Sequence, residues 1–394
     1  MRFFKRALPL FLCLILCGCR KVTPAPSAVS APLPTARTQG KDETVQHDSL
    51  SGVWLSYIEL DAALKNADPA AAAAYLDGVM RACRKNGVNT VFFHVRAHSD
   101  AYYKSAIYAP ADSVKALLAA GFDPLAYAIK AAHAQNISLH AWINPYRVGA
   151  DKSRAVCADI FAVGDKWYYI PSSDTAVRKI LDGVREIVDG YAVDGVQYDD
   201  YFYPSGMSAE AEDFEKPPAG VSLADYRKAA VNRLIACTCS AVHRRVGCKF
   251  GVSPAGNRKR SCDRLFADTA RWLSVTGYID YLCPQLYSGF DNGALPFCTE
   301  ADDWANLPRT DGVKLYAGLA LYKAGLPDGY AGSGRDEWQK GGDIVRRQAE
   351  YAAKKGYDGV AVFRFDHLVS PADGIPKTEA ENYARYVLTK SAEG

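Results

Sequence analysis

The stretch Asp194-Gly195-Val196-Gln197-Tyr198-Asp199-Asp200-Tyr201-Phe202-Tyr203-Pro204 runs a short apolar segment into two adjacent carboxylates and then a cluster of aromatics. It predicts a strand over Gly195–Tyr198 that delivers Asp199 and Asp200 to the mouth of a sheet, where Tyr201, Phe202 and Tyr203 can wall a pocket. Neighbouring side chains on a strand diverge, but at the exit into a loop both carboxylates can turn toward one cavity. Two carboxyl groups held close perturb each other, so one keeps a proton while the other stays charged. An acidic strand end that caps the following turn is the alternative reading of the same residues.

Outward from this segment, short β-rich runs alternate with longer helical patterns. Strands are predicted at 52–57, 90–95, 138–143, 195–198, 249–252, 281–284, 314–318 and 359–363. Helical periodicity falls between them, for example over 71–85, 124–135, 175–189, 223–245, 264–276 and 343–354. Asn86-Gly87, Gln135-Asn136, Gly190, Gly247, Gly277 and Gly356 punctuate the helix ends as C-terminal caps. Eight such repeats in about 340 residues predict an α/β fold, a single (β/α)8 TIM barrel with enlarged βα loops over residues 49–392. An open doubly wound sheet would carry a glycine-rich loop after its first strand, and Trp54-Leu55-Ser56-Tyr57-Ile58 is not one.

A barrel draws its functional groups from the C-terminal ends of its strands. In order, those ends offer Tyr57 and Glu59; Arg96, His98 and Asp100; Asn144, Tyr146 and Arg147; Asp199, Asp200 and Tyr203; Ser253 and Asn257; Gln285, Tyr287 and Ser288; Tyr322 and Lys323; and Arg364, Asp366 and His367. Amides, aromatics and carboxylates crowd this rim, as a sugar cleft requires, because rings stack on aromatics and hydroxyls take hydrogen bonds. Asp199 and Asp200 are the candidate catalytic pair, with the chemistry of glycosidic bond cleavage. Arg96, Asp100, Asn144, Tyr146, Tyr203, Gln285, Tyr287, Arg364 and Asp366 are candidates for substrate binding. Arg96, Asn144, Tyr146 and Gln285 read equally as internal barrel polarity, and Trp54, Trp142 and Tyr203 as buried core. His94 alternates with Arg96, so both are expected to face the interior, with His94 as a packed, hydrogen-bonded core residue.

The chain ends bound the rest. Arg2, Lys5 and Arg6 precede the apolar run Ala7–Leu16, which reads as a secretory signal over residues 1–19. Leu16-Cys17-Gly18-Cys19 fits the bacterial lipobox, making Cys19 the expected lipidated residue; ordinary cleavage and free secretion is the alternative. Residues 20–48, rich in Pro, Ala, Ser and Thr near their start, have little to bury and are expected to form a flexible tether to a membrane. A formal net charge of +3, with no basic run interleaved with aromatics, disfavours nucleic acid as a partner. Of the eleven cysteines, eight lie beyond Cys13, Cys17 and Cys19, and Cys237-x-Cys239 alone is no metal motif. No metal or cofactor is required, and the missing glycine-rich cradle disfavours a phosphate substrate.

Several of these strand ends carry longer motifs. Gly52-Val-Trp54, Phe93-His-Val-Arg96 with Asp100-Ala101, His140-Ala-Trp142-Ile-Asn144-Pro145-Tyr146-Arg147 and Asp194 through Pro204 occur in that order. Gly251-Val-Ser253-Pro254, Asp280-Tyr-Leu-Cys-Pro284-Gln285-Leu-Tyr287 and Gly318-Leu-Ala-Leu-Tyr322 follow them. Together they resemble the bacterial glycosyl-hydrolase-like 10 family, which includes outer-membrane lipoproteins cleaving peptide-free peptidoglycan strands. His94 stands where such proteins commonly have Gln. The resemblance implies a lipid-anchored, extracytoplasmic glycosidase acting on a cell-wall polysaccharide; the alternatives are a non-catalytic lipoprotein binding the same glycan and a glycosidase acting on another extracellular polysaccharide. The adjacent pair is similar to that of retaining hexosaminidases, where one acid (here Asp199) orients a 2-acetamido group and the other (Asp200) protonates the leaving oxygen, with Tyr287 donating to the acetamido oxygen. In the other arrangement one Asp is a nucleophile and Glu59, Asp100 or Asp366 the acid, with carboxyls about 5–5.5 Å apart for retention or 6.5–9.5 Å for inversion.

Overall fold

The computed structural model describes residues 44–204, 207 and 215–393; the expected signal segment, Cys19 and the tether as far as residue 43 lie outside the described residues. The strands are β1 (Leu50–Leu55), β2 (Thr90–Arg96), β3 (Ser138–Ile143), β4 (Arg147–Gly149), β5 (Ile160–Val163), β6 (Lys166–Tyr169), β7 (Gly195–Tyr198), β8 (Lys249–Val252), β9 (Tyr281–Leu282), β10 (Gln285–Leu286), β11 (Lys314–Leu319) and β12 (Gly359–Val362). Parallel pairing runs β10-β11-β12-β1-β2-β3-β7-β8-β9, and β9 pairs with β11 to close the ring. Cys283 and Pro284 interrupt β9 and β10, which together make the sixth of eight staves, so the sheet is the expected TIM barrel. β4, β6 and β5 form a separate antiparallel sheet in the third βα connection, an insertion the periodicity did not reveal.

Local chemistry explains the outer helices. Pro69–Lys85 starts with Pro at its first turn and Asp68 accepting from the Ala71 N–H at 2.8 Å. Asp174–Gly190 begins at Ser173 and buries Val177, Ile180, Leu181, Val184, Ile187 and Val188 on one stripe, where each fully buried aliphatic side chain contributes about 1.5–3 kcal/mol. Gly87 and Gly356 close their helices at φ of +77° and +81°, the left-handed geometry that such an ending needs.

The lumen has its own core, formed by Leu50, Trp54, Phe92, Trp142, Tyr281, Cys283, Tyr316 and Ala361. Glycines on the staves make room for these aromatics. A Cβ on Gly251 would lie 2.1 Å from the Tyr281 ring, and one on Gly195 would lie 2.6 Å from His140. The lumen is thus plugged below its C-terminal rim, and the site must sit at that rim.

Two expectations change. The chain already packs on the barrel ahead of residue 49: the Val45 N–H donates to Asp194 at 2.6 Å, and Ser138 donates to the Val45 carbonyl. These backbone partners lie at the barrel base, invisible in a Pro/Ala/Ser/Thr composition. Arg96 does not share the interior with His94, because a register shift between them in the β2–β3 pairing turns Arg96 outward. Its guanidinium lies over Tyr108 at 4.5 Å and against Gly183 of the surrounding helix, and donates to the Pro145 carbonyl at 3.1 Å.

Candidate active site

A cavity of about 580 Å³ opens at the C-terminal ends of the staves, lined by residues of β1, β2, β3, β4, β6 and β10 and by segments that follow β1, β3, β7, β8, β10 and β12. Along β7, Gln197 points into the lumen, where its side-chain oxygen accepts from Trp54 Nε1 at 2.7 Å, while Tyr198 points out to Thr238 at 2.9 Å. Asp199 continues the inward phase and accepts from Gln285 Nε2 at 2.8 Å. Asp200 should point out, but the chain leaves the sheet there: its N–H folds back onto Asp199 Oδ1 at 2.8 Å, and both carboxyls face the same cavity.

The two carboxyls are hydrogen-bonded to each other, and their environments separate their roles. Burial, followed by the charge of Asp199, pushes Asp200 well above the usual carboxylate range. Burial also raises Asp199, but the Asp200 N–H, the Asp200 side chain and the Gln285 amide all favour its charged form. The pair thus favours retention of one proton, and the hydrogen bonds to Asp199 favour charge on that side. Tyr287 lines the same wall, and burial together with the Asp199 charge raises its phenol well above normal, so it remains a donor.

In the same cavity, His94 stacks on Trp142 with centroids 3.6 Å apart and planes at 15°. Burial drives His94 well below its ordinary pKa, so it is neutral, and its Nδ1 accepts a long 3.4 Å hydrogen bond from the Tyr57 N–H. Among the described residues, Trp142 Nε1 and Ser253 Oγ are buried without hydrogen-bond partners, while the side chains of His94 and Asn144 meet each other. Unpartnered groups are costly unless satisfied, and both Trp142 and Ser253 line the cavity. Sugar hydroxyls, each both donor and acceptor, can satisfy them.

The structure brings Asp199, Asp200, Asn144, Tyr203, Gln285 and Tyr287 onto one wall, together with Trp54 and Trp142. It separates the other candidates from that wall. Tyr146 is fully buried in the outer core. Asp100 lines a neighbouring cavity with Asp61, His98 and Arg154, accepting from the His98 N–H at 3.2 Å. Arg364 is tied to Glu59 at 2.5 Å and lies 3.7 Å from Asp366, while Glu59 also takes the Ser56 hydroxyl and N–H as a helix cap. Glu59, Asp100 and Asp366 are thus absent from the cavity wall, and Arg96 lies outside the barrel interior. Tyr168, Arg260, Leu265 and Phe363 line the cavity without having been singled out. The aromatic run Lys166-Trp167-Tyr168-Tyr169 was the available signal for Tyr168, which its hairpin carries to the rim.

A parallel barrel with a carboxyl pair and aromatics at its C-terminal rim is the architecture of (β/α)8 glycosidases. The chain belongs to the glycosyl hydrolase-like 10 family, whose model matches residues 49–331. It is 30% identical to glycosyl hydrolase DigH of Escherichia coli K12 over 416 aligned positions, covering 91% of this chain and 92% of that protein. Glycosyl hydrolase YngK of Bacillus subtilis is 33% identical over 279 positions, 61% of this chain and 54% of that one. Among solved structures, the PgaB (BpsB) glycoside hydrolase domain of Bordetella bronchiseptica superposes with a TM-score of 0.54 at 13% identity, covering 84% of this chain and 99% of that chain. The catalytic domain of β-amylase from Paenibacillus polymyxa gives 0.52 at 14% identity, with coverage of 88% and 99%. At such identities the structures attest the fold.

Proposed function

We propose that this protein is a glycoside hydrolase that cleaves cell-wall glycan, in particular peptidoglycan strands lacking stem peptides, with assistance from the substrate's own acetamido group. The observation that carries this reading is the carboxyl inventory of the cleft. Among the described residues, Asp199 and Asp200 are the carboxylates on its wall, and no acid from another strand stands across from them. A two-carboxylate mechanism needs its second acid on the far side of the scissile bond; substrate assistance does not. In this scheme the charged Asp199 accepts the acetamido N–H and Tyr287 donates to the acetamido oxygen, which attacks the anomeric carbon. Asp200 gives its proton to the departing glycosidic oxygen and then, as a base, takes one from the water that opens the cyclic intermediate. Tyr201, exposed at the cavity mouth, offers a ring to the sugar, whereas Trp54, Trp142 and Tyr203 border the cavity as buried core.

Lipidation at Cys19, with export across the cytoplasmic membrane, would hold the barrel beside this substrate on a tether of Pro, Ala, Ser and Thr. The test is mass spectrometry of products after incubating peptide-free peptidoglycan strands with the protein and, in parallel, with Asp200→Asn. Short reducing muro-oligosaccharides from the wild type alone support the reading. Retention on the glycan without products from either protein replaces it with a glycan-binding role.

A further inference from the structure

We infer that Arg147 recognises a carboxylate on the bound glycan, namely the free lactyl acid that a muramic acid residue carries once its peptide is gone; the inference rests on the proposed cell-wall substrate. Arg147 opens β4 immediately after the third stave and lines the cavity. Its guanidinium lies over the Tyr201 ring at 5.0 Å, and its cross-strand partner in the inserted sheet is Tyr168, which lines the same cavity. Two tyrosines thus position the side chain. Among the described residues it makes no ion pair, although elsewhere on the surface arginines commonly find one, as Arg154 does with Asp112 at 2.6 Å and Arg258 with Asp303 at 2.8 Å. An arginine held by aromatics and left without a carboxylate presents a planar fork to ligand.

Charge makes the same point. The carboxyl pair, holding one proton, keeps one negative charge in the cleft and by itself repels an anionic sugar. Arg147 offsets that charge: its field lowers the proton affinity of Asp199 and of His98 alike. A lactyl group still joined to peptide is a neutral amide, and a chitin-like strand has only a hydroxyl there. The free acid is the form that gains a charge-assisted, two-pronged hydrogen bond.

Binding of three ligands of equal length tests this: muro-oligosaccharides with free lactyl groups, the same chains with lactyl carboxamides, and chito-oligosaccharides. Full-length protein carrying Asp200→Asn prevents turnover, and is compared with the Asp200→Asn/Arg147→Gln and Asp200→Asn/Arg147→Lys double variants. The Asp200→Asn protein is expected to bind the free acid about tenfold tighter than the carboxamide. Arg147→Gln brings that ratio near one; Arg147→Lys, which keeps the charge without the fork, leaves an intermediate ratio and controls for folding. An equal ratio in all three proteins, or no preference in the first, overturns the assignment. Preference without any products from the wild type would sink the hydrolase reading and leave this one standing. Products formed equally well from acid and carboxamide would do the reverse.

Discussion

At Asp200 the proposed chemistry carries a cost in stability. An aspartate in an unfolded chain titrates near about 3.9, whereas burial and the neighbouring Asp199 raise it well above that in the fold. Between those two values the native state binds more protons than the unfolded state, so this group's contribution to stability falls as pH rises through that window. Asp200→Asn removes the penalty while keeping the shape. It is expected to raise Tm at neutral pH by a few degrees in a thermal scan while lowering kcat by about 10²–10⁴, the share typical of a general acid. A lower Tm would mean that the pair is not strained. The rate should rise as Asp199 loses its proton and fall as Asp200 loses its own, with both limbs belonging to the pair. Gln285→Ala withdraws an amide that favours charged Asp199, so the acidic limb of a kcat/KM profile should move to higher pH. An unmoved limb would exclude Asp199 as the group that must be charged.

At the scale of the element, one irregularity in β2 decides which polar residues serve the cleft. Plain alternation from His94 puts Arg96 inside, and the register shift between them puts it outside against Tyr108 and Pro145. Arg96→Ala is therefore expected to cost about 2–4 kcal/mol, from the space left behind and the lost hydrogen bond, measured as a lower midpoint in urea. Below that midpoint kcat and KM should match wild type; a raised KM with unchanged stability would return Arg96 to the cleft. The inserted sheet of β4, β5 and β6 is the second local decision. It carries Arg147 and Tyr168 to the rim, and its strands are too short and too irregular in pattern to separate from a loop by periodicity.

For the whole molecule, the barrel is sealed at its base by the chain that leads into it. Val45 donates to Asp194 and accepts from Ser138, and Asp194 also takes the Leu139 N–H at 2.7 Å and His133 at 2.9 Å. Deleting residues 44–48 removes two of these hydrogen bonds and leaves Asp194 less satisfied. Relative to a chain retaining them, it should lose about 2 kcal/mol, a fall of a few degrees in Tm. Equal melting of the two chains would show that the segment adds nothing to the barrel. Catalysis should persist in both, since the site lies at the opposite rim.

The order of eight strand-helix repeats, the rim at which the cavity opens and the adjacency of the two carboxyls were legible in the chain, because each rests on local periodicity, on capping residues such as Asn86-Gly87, or on adjacent positions. Tertiary structure decided the rest. Sequence neighbours cannot report that a bulge rotates Arg96 away, that Glu59 is consumed by Arg364 and the Ser56 cap, or that Tyr146 is enclosed by packing. Those outcomes depend on atoms brought together from distant staves, and the proton shared by Asp199 and Asp200 depends on a burial that only the closed barrel creates.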